Sequence, residues 1–162
     1  AAEDRNPGVA YDYAGAPASE VTLDFRNNVV WDWGSEQGAL VRYGAHANIV
    51  NNYFDSPGGN NADSLVLCRP TGTRPEHAGN CGHGALAFFA RAFVAGNVNP
   101  DLSEWDINSV TTETSAFPAP ALPVETACAA AQKVKSGAGV FPLDTVDRSF
   151  LSVVTPRSDL CG

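Results

Sequence analysis

Methionine is missing altogether from the 162 residues, and lysine occurs only at Lys133 and Lys135. With no initiating methionine, and no apolar leader ahead of a cleavage site at its start, the sequence reads as a processed or partial chain. Basic charge is scarce. Ten Lys and Arg against 18 Asp and Glu leave a net charge of −8, so a basic face for nucleic acid is not expected. Long apolar runs are also missing. A run such as Ala85–Ala90 falls well short of the roughly 18 residues that cross a bilayer as a helix, so no spanning helix and no membrane partner is expected. Apolar residues make up 44% and charged residues 17%, a globular composition with too little charge for a disordered chain. The mass of 17.0 kDa suits one domain or part of a larger one.

Turn-forming residues, by contrast, are plentiful: 15 Gly and 11 Pro predict frequent turns and few long helices. Four cysteines, Cys68, Cys81, Cys128 and Cys161, form an even set. In an acidic, lysine-poor chain they suggest an oxidising, extracellular setting. Several pairings are open to four cysteines. Cys68–Cys81 is expected because it closes a turn-rich loop over residues 68–84, and Cys128–Cys161 because it ties a C-terminal helix to a chain end that would otherwise fray.

The informative signal is periodic. Val21–Arg26 alternates apolar and polar residues, which predicts a strand; Asn27-Asn28 and then Val29-Val30-Trp31-Asp32-Trp33 follow. Ala47-Asn48-Ile49-Val50, Asn51-Asn52 and Tyr53-Phe54 repeat that layout, and Phe88–Val94 followed by Ala95-Gly96-Asn97-Val98 makes a third version. Short strands ending in Asn at a period in the low twenties predict a solenoid whose turns stack on one another. Asn suits the bends because it tolerates left-handed backbone, and its amides can form a ladder. Asn28 and Asn52 are expected in adjacent turns. Asn97 is expected two steps further on, because its interval from Asn52 is near twice the first. The resulting division is an irregular opening segment over 1–20, β-helix rungs over 21–98, and a strap with capping helices over 99–162. The first helix is expected to run from Pro123 to Gly137, burying Val124, Ala127, Cys128, Ala131 and Val134. The second starts at Asp144 with Asp147 in a variant capping box, and its expected buried stripe is Val146, Phe150, Leu151 and Val154.

Asp24-Phe25-Arg26-Asn27-Asn28-Val29-Val30-Trp31-Asp32-Trp33-Gly34 resembles a segment of bacterial and fungal pectate lyases of the parallel β-helix type. Asn48–Phe54 resembles their next rung, and Phe93–Asn97 the one after. The resemblance implies an all-β, right-handed parallel β-helix (solenoid) fragment of about three or four rungs with short C-terminal helices, corresponding to the C-terminal half of a larger domain. It further implies a secreted lyase acting on pectin-type polyuronate, with calcium as cofactor and its ligands in an N-terminal half outside this chain. In that family the base is an arginine in an Arg-x-Pro motif just before the matched rung. Arg5-Asn6-Pro7 occupies that place, so Arg5 is the candidate catalytic base. The second arginine common near the proline is replaced by Gly8, Val9 and Ala10.

Other residues invite weaker functional readings. Arg26 and Arg42 are candidate uronate contacts, although Arg26 has Asp24 as a natural partner. Trp31, Trp33, Tyr43 and Tyr53 could stack on sugars or fill the core. His77, Cys81 and His83 with Cys68 are irregularly spaced for zinc, and Asp101, Glu104 and Asp106 lack a calcium-loop pattern. Two alternatives to the lyase stand: a non-catalytic glycan-binding protein, and a structural β-solenoid that self-assembles end to end.

Overall fold

A computed structural model describes residues 8–10, 22–33, 37–42, 45–56, 63–67, 91–98, 111–138 and 142–161. Nine strands occur among them: β1 (Gly8–Ala10), β2 (Thr22–Arg26), β3 (Val29–Trp31), β4 (Gln37–Arg42), β5 (His46–Val50), β6 (Tyr53–Asp55), β7 (Asp63–Leu67), β8 (Arg91–Ala95) and β9 (Thr111–Thr112). Three helices follow: α1 (Ala127–Gly137), α2 (Thr145–Val153) and α3 (Ser158–Cys161).

Among the described residues all strand pairing is parallel. The sheets run β1-β4-β7, β2-β5-β8-β9 and β3-β6. The register is uniform across the first repeat: Thr22 lies beside His46, Arg26 beside Val50, and Val29 beside Tyr53. The expected all-β, right-handed parallel β-helix is corrected here. The described residues form short parallel strands in small separate sheets together with three helices, and no solenoid. The longest of these strands has six residues and the last has two. Beyond Thr112 the chain leaves the sheet as an extended strap, and its Ala-rich continuation folds as helix.

The spacing expected for Asn97 is also corrected. β8 pairs directly with β5, placing His46 beside Arg91 and Val50 beside Ala95. The longer interval is therefore one step containing an insertion, not two steps. Strands β4 and β7 were not predicted. Their apolar runs, Ala39-Leu40-Val41 and Leu65-Val66-Leu67, carried the signal.

The main core lies between the sheets. Val30, Trp33, Ala39, Val41, Ala45, Ala47, Ile49, Phe54 and Ala92 are buried there, with Trp33 edge-on to Phe54 at 6.5 Å. A second cluster joins Tyr53 to Ala127 and Ala131 of α1, with Val29, Trp31 and Val98 packed against it. Small alanines let α1 approach β3 and β6 closely. Of the stripe expected on α2, only Val154 just past its end is buried. Val146 is 75% exposed and Phe150 54%. The spacing is helical, but Val146 and Phe150 face solvent and Leu151 is only half-buried.

Candidate functional site

The most organised polar feature is a line of asparagines at the ends of β2, β5 and β8. The main-chain N–H and Nδ2 of Asn28 donate to Asn52 Oδ1, both at 3.0 Å. Those of Asn52 donate to Asn97 Oδ1, both at 2.9 Å. Each amide also spends a donor on the main chain: Asn52 Nδ2 on Phe25 O, Asn97 Nδ2 on Ile49 O, and Asn28 Nδ2 on Arg26 O. Asn52 is wholly buried, so these bonds satisfy an amide that water does not reach. The expected ladder is therefore present.

A second polar row runs along the four-stranded sheet. Asp24 Oδ1 accepts from Arg26 Nε at 2.6 Å and from Asn48 Nδ2 at 2.9 Å. Asp24 Oδ2 is buried without a partner. Asn48 is fully buried and clasps the strap at both ends of one residue: Nδ2 donates to Phe117 O at 3.0 Å and Oδ1 accepts from Phe117 N–H at 2.8 Å. The Phe117 ring stacks on His46 at 4.6 Å and 5°. Arg91 lies 5.7 Å from that ring's centre and donates Nε–H to Glu113 at 2.6 Å.

The electrostatics follow this packing. Burial and the neighbouring Arg91 cation lower the pKa of His46, and Glu113 opposes them. The hydrogen bond from Arg91 holds Glu113 below the ordinary carboxylate value. Burial raises Tyr53, opposed by the Arg157 N–H that its hydroxyl accepts at 2.8 Å. This row holds polypeptide: Asn48 and His46 are occupied by the strap. Reading the sequence alone missed His46, Arg91, Glu113 and Phe117. The available signal was position, since His46 and Asn48 stand two apart on one strand face.

Of the candidate substrate-binding residues, Arg26 and Arg42 are among those described. Arg26 is paired with Asp24 and mostly buried. Arg42 ends β4 in register with Ala10 of β1. Arg5 lies outside the described residues, as do Cys68, Cys81, His77, His83, Tyr43, Asp101, Glu104 and Asp106. Cys128 and Cys161 form a disulfide. Trp33 and Tyr53 are core residues, 2% and 0% exposed, and Trp31 packs against the α1 cluster. Among the described residues no group of three or more His, Cys, Asp or Glu is placed to hold a metal ion. Comparison with family models, curated proteins and solved structures finds no match to this chain.

Proposed function

We propose that this chain is part of a secreted polygalacturonate lyase, with Arg5 as the base. The reading rests on the likeness of residues 24–34 and 48–54 to pectate lyases. One observation supports it most: those two segments lie side by side in register, with Asp24 beside Asn48 and Asn28 bonded to Asn52. Two facts lend secondary support. The Cys128–Cys161 bridge suits an oxidising compartment. Arg42 and Ala10 are neighbours in one sheet, which joins Arg42's strand to the strand that Arg5 precedes.

The reaction is a β-elimination. The base takes the proton α to the uronate carboxylate, the electron pair forms a double bond to the next carbon, and the glycosidic oxygen leaves from that carbon. Arginine normally stays protonated and needs dense positive surroundings to act as a base. The described residues do not fit a calcium ion, so no step is routed through one. In this reading the metal ligands and the rest of the groove belong to an N-terminal half of the same polypeptide.

The 162-residue chain alone is therefore expected to be inactive on polygalacturonate. A longer parent with calcium should release unsaturated product, followed by ultraviolet absorbance, and Arg5→Lys in that parent should lose most of the rate. Strong activity from the isolated chain, or an unchanged rate in the variant, refutes the assignment. Gly8-Val9-Ala10 favours a second reading, a glycan-binding protein without catalysis, because the family's second arginine is absent there. Uronate binding without product release from the parent would select it.

A further inference from the structure

Among the described residues the first strand of each of the three sheets has one unpaired edge: β1 pairs only with β4, β2 only with β5, and β3 only with β6. The other end of the four-stranded sheet is different. There β9 pairs with the start of β8, and Glu113 N–H bonds Ala92 O as the chain turns into the strap.

The ladder has a direction that matters at the open end. Each amide oxygen below the first takes two hydrogen bonds from the asparagine before it. Asn28 has no asparagine before it, and among the described residues its Oδ1 accepts from nothing. Asp24, on the strand that leads into Asn28, repeats the situation. Its Oδ1 is satisfied by Asn48 of the next strand and by Arg26, and its Oδ2 is buried without a partner. Among the described residues two acceptors four positions apart, one on β2 and one just past its end, thus have no donor, and that of Asp24 is buried.

We propose that the open edge of β2 and β3 is a strand-addition site for a polypeptide segment that bends as residues 46–55 do, aligned parallel, with asparagine opposite Asn28 and an amide donor opposite Asp24. The chemistry selects asparagine at the first place because it brings a main-chain N–H and an Nδ2–H to one oxygen, as Asn52 does to Asn97. A carboxylate at either place would face an acceptor on a protein of net charge −8. The pattern required is therefore Asn-x-x-x-Asn spanning a strand and the bend that ends it. Asn48 and Asn52 show that spacing within this chain, and Asn48 already donates to Asp24 from the other side. The site does not depend on the catalytic reading.

The test uses a labelled synthetic peptide of residues 45–56 titrated into the 162-residue protein, followed by fluorescence anisotropy and amide hydrogen exchange. Saturable binding is expected, with exchange slowed in β2 and β3. The Asn52→Ala peptide should bind at least about tenfold more weakly, having lost its side-chain donor to Asn28. Absence of binding, equal binding of the two peptides, or faster exchange in β5 (displacement of the native strand) would each overturn the proposal. Sedimentation without peptide gives a further check: self-association that slows exchange in β2 and β3 would assign the edge to a second copy instead.

Discussion

The strands carrying Asn28 and Asn52 and the helices ending at Cys161 are held in opposite ways. In the strand region the same pair of bonds recurs from one strand to the next, and Asn48 and Asn52 are buried with partners. The helical region relies on single devices: a Thr126 cap on α1, an Asp144–Asp147 capping box on α2, and one disulfide from α1 to α3. Its apolar residues are partly wasted on solvent, since Val146, Phe150 and Val153 are exposed on α2. Repetition makes the loss of one member costly to its neighbours, whereas separate devices fail one at a time.

The largest expected effect is Asn52→Ala. It strands Asn28 N–H and Phe25 O, leaves Asn97 Oδ1 with only the Asn52 main-chain N–H, and should cost about 3 kcal/mol in urea unfolding. A cost under about 1 kcal/mol would erase the contrast. Replacing Cys128 and Cys161 together by Ala removes a cross-link spanning 33 residues and should cost about 3 kcal/mol. Amide exchange should then accelerate in α1 and α3 and stay unchanged in β5. Equal acceleration in β5 would show that the two regions open as one unit.

Asp144→Ala removes a cap that accepts from Val146 N–H and Asp147 N–H. It should cost about 1 kcal/mol, read from the thermal midpoint. Acid acts on the strap more gently. The fold favours neutral His46, whose pKa is lowered, so its contribution is complete above the ordinary imidazole value of about 6.5 and declines as pH falls through the lowered folded value. The urea midpoint should fall over that window, and His46→Gln should remove that part of the fall. Smallest is Phe150→Ser, expected within about 0.5 kcal/mol because the ring is exposed. A larger loss would mean that this face of α2 is covered in solution.

Local features were legible in the sequence and distant ones were not. Alternation marked β2, the doubled asparagines marked the bends, and Asp144 with Asp147 marked the start of α2. The helix expected from Pro123 begins instead at Ala127. Glu125 is held outside it, because its carbonyl accepts from Asn27 and Asn51 and its N–H bonds Asn27 Oδ1. Those partners lie 98 and 74 residues away, beyond the reach of any local pattern. Similarly, Phe117 reads as one aromatic among prolines until Asn48 is seen to hold its main chain. The arginines are harder still: Arg26 offers the same letter whether it binds a sugar or, as here, Asp24.

Gly96 has the last bearing on where that helix starts. It occupies the third left-handed bend, at φ 64°, where Asn27 and Asn51 stand at 56° and 53° in the first two. A Cβ at this position would fall on Asn51 Oδ1. The absent methyl is the space in which the Asn51 amide lies while its Nδ2 reaches the Glu125 carbonyl at 2.6 Å. Substituting alanine would evict that amide and remove one of the two side-chain donors that pin the residue ahead of Thr126. The point at which extended chain gives way to α1 is thus governed in part by a single hydrogen atom on a strand bend, acting as a remote stop on a helix it never touches.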